Sequence, residues 1–292
     1  MNAIEIKNLT KYYGKNRGIV NLAFNVEKGD FFGFIGPNGA GKSTTILLLL
    51  GLINATGGNA NILGLDIKTS NTEILKRVGY LPSDAAFYSG MKVKEILKLS
   101  ADLRGVDCSA EAENLCQRLD LDINKKVEQL SLGNRKKVGI VCALQHRPEL
   151  YILDEPTSGL DPLIQHEFYS ILQERNNEGA TIFLSSHILS EVARYCKNAA
   201  IIRDGELLAC DSVLNLSHSD VKRITLKGVD KIIANDSMRD IKTEDGITSF
   251  LYNGKPDVLI KELAKLKFDD ITITDPELSE VFMHYYRKDG EQ

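Results

Sequence analysis

Residues 36–43 have the residue types and spacing of a loop that binds phosphate groups. The segment reads Gly-Pro-Asn-Gly-Ala-Gly-Lys-Ser and fits the pattern G-x-x-x-x-G-K-[ST]. Glycines let successive backbone N–H groups converge on phosphate oxygens, and the N-terminus of a following helix adds partial positive charge. The Lys42 ammonium can reach the β- and γ-phosphates, and the Ser43 hydroxyl can bind Mg²⁺. We therefore predict a nucleoside triphosphate site formed by Gly36, Pro37, Asn38, Gly39, Ala40, Gly41, Lys42, Ser43 and Thr44.

An acidic pair, Asp154-Glu155, directly follows the apolar run Tyr151-Ile152-Leu153. Acidic residues at the carboxyl end of a buried strand lie where α/β sheets bind ligands. Asp154 can hold Mg²⁺ through water, and Glu155, which points the other way, can deprotonate a water that attacks the γ-phosphate. By itself such a pair is more often a helix cap or a solvated surface pair. The glycine loop upstream is what favours the catalytic interpretation.

Further segments complete a set of motifs that resembles an ATP-binding cassette (ABC) ATPase. The stretch Leu153–Asp161 (LDEPTSGLD) resembles the Walker B segment and D-loop of that family. Leu130–Asn134 (LSLGN) lies where the family has its LSGGQ signature, Ser185–His187 resembles its H-loop, and Tyr13-Gly14 resembles its aromatic A-loop. The motifs stand in family order and cover residues 1 to about 215. A combination of this kind is far more specific than any one of its parts.

The resemblance implies a head-to-tail dimer around ATP, formed with a second copy of the chain or with a homologous ATPase subunit. Each ATP would lie between the glycine loop of one subunit and Ser131, Gly133 and Asn134 of the other. The N–H of Gly133, at the start of a helix predicted over Asn134–Gln145, would face the γ-phosphate. The pair would power a separate integral-membrane permease, in the manner of an exporter. The chain would then be cytoplasmic and peripheral on the inner face of the cell membrane.

The resemblance also implies a role for each remaining site residue, with ATP and Mg²⁺ as the ligands. Glu155 would be the general base, His187 would sense the γ-phosphate, and Asp154 would hold the metal together with Ser43. Tyr13 would stack on the adenine, with Tyr12 as a rival for that role. Asp161 of the D-loop would belong to the nucleotide-binding residues.

The sequence departs from the family pattern in the signature and in the segment after Tyr80-Leu81-Pro82. Leu132 replaces a glycine of the signature, and Asn134 replaces its glutamine with a shorter side chain. Ser83 stands where the family has the Q-loop glutamine, which links the metal and the attacking water to the permease. An inserted water or the carboxylate of Asp84 could replace that glutamine, or both residues could simply form a solvated turn. With the C-terminal extension, these variants are similar to the ATPases of ABC-2-type exporters, including bacitracin-type resistance systems.

The elements around the motifs predict an α/β fold. Alternating residues near the N-terminus predict strands, and helix-spaced apolar residues run from about Val93 to His146, with Leu99 among them. A helix is expected to begin near Pro162. Short apolar runs predict buried strands of a parallel sheet at Phe31–Ile35, Leu150–Leu153, Thr181–Leu184 and Ala199–Ile202.

With the resemblance, the expected architecture is that of an ABC-type P-loop NTPase followed by a small α+β domain. Residues 1–217 would hold a mostly parallel core sheet, an N-terminal antiparallel β-subdomain and a helical signature subdomain at about 84–148. Residues 218–292 would form the accessory domain, whose simplest role is structural or dimer-stabilising. Its predicted elements are strands at Ile224–Leu226, Thr248–Tyr252 and Ile271–Thr274, a helix at Asp257–Leu266, and a last helix that begins after Asp275 and carries Leu278, Val281, Phe282, Tyr285 and Tyr286 on one face.

Composition limits the alternatives. The 292 residues carry a formal net charge of −4, which disfavours a strongly basic nucleic-acid binder, and we expect no nucleic-acid partner. The five widely spaced cysteines are expected to be free thiols, and no apolar run is long enough to span a bilayer. Two alternatives stay open at this point. One is a soluble ABC ATPase that acts on ribosomes or DNA, and the other is a nucleotide-gated regulatory module with weak hydrolysis.

Overall fold

The computed structural model describes residues 1–217, 221–229 and 237–275 of the chain. The chain divides into two compact units, with the division between Asp211 and Ser212. The predicted limits of the ATP-binding domain, of the helical subdomain and of the accessory domain stay predictions. Within the described ranges, no helix is long and apolar enough to cross a membrane.

The first unit contains two sheets and a group of helices. Its strands are β1 (Asn2–Tyr13), β2 (Asn16–Glu27), β3 (Phe31–Ile35), β4 (Gly57–Ile62), β5 (Leu65–Asp66), β6 (Val78–Leu81), β7 (Leu150–Asp154), β8 (Thr181–Ser186), β9 (Asn198–Arg203) and β10 (Glu206–Ser212), which extends by one residue into the second unit. Its helices are α1 (Lys42–Leu49), α2 (Asn71–Arg77), α3 (Val93–Asp102), α4 (Ser109–Arg118), α5 (Leu132–Leu144), α6 (Pro162–Asn177) and α7 (Leu189–Tyr195), with a 3₁₀ turn at Val127–Gln129.

A six-stranded sheet in the order β10-β9-β3-β8-β7-β6 brings the motifs together. The pairs β6·β7, β7·β8, β8·β3 and β3·β9 are parallel, and every residue of β3, β7 and β8 is buried, as their continuous apolar runs predict. In the register, Asp154 pairs with Ser185 and Ile35 pairs with Ser186. The glycine loop, the acidic pair and the segment after Ser186 therefore leave the sheet at the same edge.

An antiparallel sheet in the order β2-β1-β4-β5 packs on this core. Its strands alternate buried apolar and exposed polar residues, which is the pattern that predicts them. Phe24 of β2 lies within an aromatic cluster with Phe32, Phe34 and Phe183, and the ring centroids are 5.4–6.4 Å apart. This contact joins the two sheets directly behind the glycine loop.

The helices between β6 and β7 occupy the region predicted to be helical, with two differences. Helix α5 begins at Leu132, capped by Ser131, rather than at Asn134, because the Ser131 hydroxyl accepts the N–H of Asn134 at 3.3 Å. Leu99 is 36% exposed, so it does not share the buried face of α3. At the other predicted start, Asp161 caps α6 and Pro162 is its first residue.

The second unit contains α8 (Val213–Ser217), β11 (Val221–Lys227), β12 (Met238–Glu244), β13 (Ile247–Asn253), α9 (Pro256–Leu263) and β14 (Asp270–Thr274). Its strands form a sheet in the order β12-β13-β11-β14, with antiparallel pairs. The sequence predicts β11, β13, β14 and α9 but not β12, whose residues are almost all exposed and show no apolar alternation. The helix predicted after Asp275 lies outside the described residues.

Candidate active site

The glycine loop connects β3 to α1 and keeps its backbone tightly folded. Gly41 precedes the helix with a φ of 107°, a left-handed conformation that favours glycine. A Cβ at Gly41 would lie only 2.7 Å from the Ile19 side chain, so the position is also too crowded for a larger residue. Lys42 is 5% exposed, and its Nζ donates to the carbonyl oxygens of Gly36 at 2.8 Å and Pro37 at 3.2 Å. The Lys42 side chain is thus folded back onto the loop that is expected to bind phosphate.

Three hydroxyl and carboxylate groups meet beside the first turn of α1. The Ser43 hydroxyl donates to Oδ2 of Asp154 at 2.8 Å, and the Ser185 hydroxyl donates to Oδ1 of the same carboxylate at 2.5 Å. Asp154 is 2% exposed, and these hydroxyls satisfy both of its oxygens. Hydroxyl and carboxylate oxygens are the hard ligands that Mg²⁺ prefers, so this donor set fits the ion.

The Glu155 carboxylate lies between Lys42 and His187, both of which the motifs predict to be in the site. Its Oε1 is 3.3 Å from Nζ of Lys42 and 3.2 Å from Nδ1 of His187. Burial alone would raise the pKa of Glu155, but Lys42 and His187 outweigh it, so the pKa lies below its ordinary value and the carboxylate is ionised at neutral pH. The backbone of Glu155 has a φ of 45°, which is strained for this residue type and turns the chain sharply at the end of β7.

The two tyrosines at the end of β1 differ in their surroundings. Tyr13 is 47% exposed, and the Lys11 ammonium lies 5.1 Å from the centroid of its ring. A Cβ at Gly18 would lie 3.2 Å from the Tyr13 ring and 3.4 Å from the Thr44 methyl group. The Tyr13 ring therefore lies near the start of α1, where the glycine loop ends. Successive side chains of a strand point to opposite faces, so Tyr12 points away. The geometry favours Tyr13 for stacking against a base.

The signature residues lie against the D-loop rather than in this cluster. A Cβ at Gly133 would lie 2.7 Å from the carbonyl oxygen of Gly159, so the first turn of α5 touches the segment that follows Glu155. The Ser131 hydroxyl and carbonyl accept the N–H groups of Asn134 and Arg135, within the first turn of α5. Asp161 accepts the N–H of Ile164 at 3.0 Å, which gives this predicted nucleotide-binding residue a capping role in its own subunit.

Several positioning contacts could not be found from the sequence pattern. Glu191 of α7 accepts the hydroxyls of Thr157 at 2.7 Å and Ser186 at 2.9 Å, and so joins the D-loop to the end of β8. Ser185 is an exception, because the parallel register of β7 and β8 places it beside Asp154.

Lys136, in the second turn of α5, is 4% exposed and has no motif signal at all. Its Nζ donates to the backbone carbonyls of Pro82 at 3.0 Å and Ser83 at 2.7 Å, in the segment where the family glutamine is missing. Burial lowers the pKa of Lys136 to about 8, against the opposing charges of Asp154, Asp84 and Glu155.

The phosphate-binding loop follows β3, and the acidic pair stands at the end of β7, two strands away in the same sheet. This arrangement is typical of the P-loop ATPases. Within that class, the ABC transporter family profile matches residues 19–158. The bacitracin transport ATP-binding protein BcrA of Bacillus licheniformis is 40% identical over 211 residues, which cover 70% of this chain and 68% of that protein. The chain belongs to the ABC transporter ATPase family, as the motifs predict.

Solved structures agree with this assignment. The ATP-binding subunit of an ABC transporter superposes with a TM-score of 0.69 at 33% identity over 73% of this chain and 91% of that one. The dimeric bacterial cassette MJ0796 superposes with a TM-score of 0.66 at 25% identity over 72% of this chain and 98% of that one. The predicted fold class, ATP binding and ATPase activity are thereby confirmed, and the chain is an ATP-hydrolysing subunit of an ABC transporter.

Proposed function

We propose that two ATP-binding subunits close head to tail around ATP and Mg²⁺ and that hydrolysis drives export through a separate membrane permease. The observation that carries the proposal is the position of Glu155, whose carboxylate lies 3.3 Å from Lys42 and 3.2 Å from His187 at the mouth of the glycine loop. A charged carboxylate held there can accept a proton from water beside the terminal phosphate of a nucleotide bound to the loop. The second subunit is either another copy of this chain or a homologous ATPase.

The residues of one subunit supply binding and base catalysis. Backbone N–H groups of residues 36–44 and the Lys42 ammonium bind the triphosphate, and Tyr13 stacks on the adenine. Ser43 and Asp154 would hold Mg²⁺, which supplies charge neutralisation of the phosphates. Glu155 takes the proton of the attacking water, and His187 orients the γ-phosphate from the other side of Glu155.

The second subunit supplies the signature. Ser131 and Gly133 precede the body of α5, where backbone N–H groups and the helix dipole favour an anion. In the described structure Gly133 approaches Gly159, and the Ser131 hydroxyl accepts the N–H of Asn134 in its own helix, which supports a role of this helix start at the nucleotide of the partner. Asn134 and Asp161 complete the surface proposed to meet that nucleotide. The MJ0796 cassette is a dimer in its solved structure, which supports the pairing of two subunits.

The relatives support a membrane partner. BcrA is named for bacitracin transport, and we propose that this chain serves a transporter that works as an exporter. In that role the chain would sit peripherally on the inner face of the membrane by binding the permease. We place the ATP-binding domain at residues 1–217, with its helical subdomain at about 84–148, and the accessory domain at residues 218–292.

The experiment compares two variants of the purified full-length chain, Lys42→Ala and Ser131→Arg, in ATP binding and in MgATP hydrolysis. Lys42→Ala should lose ATP binding and turnover together, because the buried cation of the loop is removed. Ser131→Arg should lose turnover while ATP binding to the isolated subunit stays within about twofold, because Ser131 acts on the nucleotide of the partner. If Ser131→Arg weakens binding to the isolated subunit as strongly as Lys42→Ala does, the head-to-tail arrangement is wrong.

A further inference from the structure

Lys136 is a buried cation in contact with main-chain oxygen atoms, and the proposed chemistry does not use it. It is 4% exposed, and its ammonium donates to the carbonyls of Pro82 at 3.0 Å and Ser83 at 2.7 Å. Holding an ammonium in the interior costs free energy, and its contacts must offset that cost. A neutral donor could satisfy the same two carbonyls without the desolvation of a charge, so the charge itself calls for an explanation.

The bonds of Lys136 connect two parts of the site that are distant in sequence. Helix α5 begins at the signature, and Pro82-Ser83 directly follows β6, whose last residue Leu81 pairs with Leu153 next to Asp154. One side chain therefore joins the helix proposed to engage the nucleotide of the partner to the strand end beside the acidic pair.

The packing of α5 against the same segment reinforces this connection. A Cβ at Gly139 would lie 2.9 Å from the Leu81 side chain and 3.3 Å from the Cβ of Ala85. The face of α5 at Gly139 therefore packs against residues that precede and follow Ser83 in the chain. The carboxylates that face the ammonium come from the loop, at Asp84, and from the end of β7, at Asp154 and Glu155. The charge of Lys136 thus lies where it can balance the acids of the site.

We propose that Lys136 is a positioning residue of the ATPase site, which fastens the Pro82-Ser83 backbone to α5 so that engagement of Ser131 is transmitted to the strand ends beside Asp154. The proposal rests on the head-to-tail function given above and assigns the coupling between the two ends of the site. The segment at residue 83 is then held through its main chain by a lysine from α5 instead of through its own side chain.

The adjacent lysine provides a matched control. Lys137 is also buried on α5, at 7% exposure, but its Nζ donates to the carbonyl of Asp120 at 3.3 Å, away from the loop. We would compare Lys136→Met, Lys136→Arg and Lys137→Met in the full-length chain. The measurements are kcat and KM for MgATP, ATP binding to the subunit, and hydrogen–deuterium exchange of the peptide spanning residues 78–90.

Loss of the buried donor in Lys136→Met should lower kcat about tenfold, with KM and ATP affinity within about twofold, and should raise exchange in residues 82–87. Lys136→Arg can donate to both carbonyls and should restore at least half of kcat. Lys137→Met should keep the kcat and the loop exchange of the unmodified chain. Unchanged kcat in Lys136→Met, or an equal loss in Lys137→Met, would overturn the proposal.

A double-mutant cycle with Ser131→Ala tests the transmission step separately. If Lys136 carries the effect of Ser131, the fold decrease in kcat of the double variant Ser131→Ala/Lys136→Met should be clearly smaller than the product of the two single-variant decreases. Losses that multiply would show that the two residues act independently, and transmission through Lys136 would be refuted. A silent Ser131→Ala would instead refute the head-to-tail function, while the comparison of Lys136→Met with Lys137→Met would still decide the loop contact.

Discussion

Glu155→Gln should do two things at once: abolish turnover and tighten nucleotide binding. In the structure, Lys42 pairs with the Glu155 carboxylate at 3.3 Å, and a bound triphosphate competes for the same ammonium. Glutamine keeps an oxygen that can accept from Lys42 but loses the charge that strengthens the bond. The variant also removes repulsion between the carboxylate and the phosphates. Both changes favour the bound state.

The size of the affinity change follows from the geometry. At 3.3 Å the gross Coulomb attraction is about 5 kcal/mol at an effective dielectric constant of about 20, and it is largely offset by desolvation. A hydrogen bond to a charged group contributes a net ~1.5–3 kcal/mol and one to a neutral group ~0.5–1.5 kcal/mol. The difference of about 1–1.5 kcal/mol predicts affinity that is about five- to twelvefold tighter. Loss of a general base should lower turnover at least about a hundredfold.

The affinity assay isolates the subunit from dimer formation. Titrations with a non-hydrolysable ATP analogue and Mg²⁺ would use the Ser131→Arg background, where closure is blocked. Glu149→Gln is the matched control, because Glu149 carries the same charge but pairs with Arg77 at 2.8 Å on an exposed surface. Because Lys42 and His187 hold the pKa of Glu155 below its ordinary value, the affinity gain should be constant from pH 5 to 8.

Two results would refute this reasoning. Equal affinity of Glu155→Gln and Glu149→Gln would show that the Lys42–Glu155 contact does not compete with the nucleotide. Near-normal turnover in Glu155→Gln would remove Glu155 from the role of base, whatever its effect on binding.

The remaining predictions concern His146 and the segment at residue 83. Burial and the charge of Arg104 lower the pKa of His146 to about 4 in the folded chain, from an ordinary value of 6.5. As the pH falls below 6.5, this histidine therefore binds a proton in the unfolded chain before it does so in the folded chain. The free energy of unfolding should therefore fall by about 2–3 kcal/mol from this group between pH 7 and 4, and His146→Gln should remove that part in urea titrations. Ser83→Ala should keep basal turnover within about twofold, because its carbonyl still accepts from Lys136; a large loss with a silent Asp84→Ala would show that the serine hydroxyl completes the metal site.

The sequence was sufficient for the parts of the site that lie in contiguous segments. The glycine loop needs only a strand, its own glycines and a helix, and all of these are adjacent in the chain. The meeting of Ser43 with Asp154, which are 111 residues apart, was also predictable because parallel strands present their carboxyl ends at the same edge. The exposed strand Met238–Glu244 was missed because a strand with no buried face leaves no apolar alternation to read.

Contacts between distant segments left no such signal. Nothing in the local sequence distinguishes Lys136 from Lys137, yet one reaches Ser83 and the other reaches Asp120. The close approach of Gly133 to Gly159 likewise depends on how α5 packs, which periodicity does not specify. The capping role of Asp161 could be read from the proline after it, while its proposed place at the nucleotide rests on its resemblance to a D-loop residue.

The packing of α5 brings one helix into contact with segments on both sides of Glu155, the proposed base. At its start, Gly133 touches Gly159, four residues after Glu155. One turn later, Lys136 holds the backbone of Ser83, beside the strand that pairs with β7. A shift of α5 that left both contacts intact would have to move the segment after Glu155 and the strand end next to Asp154 together. These contacts support the proposal that the chain couples its signature to Glu155 through the main chain at residue 83, without the glutamine that the family places there.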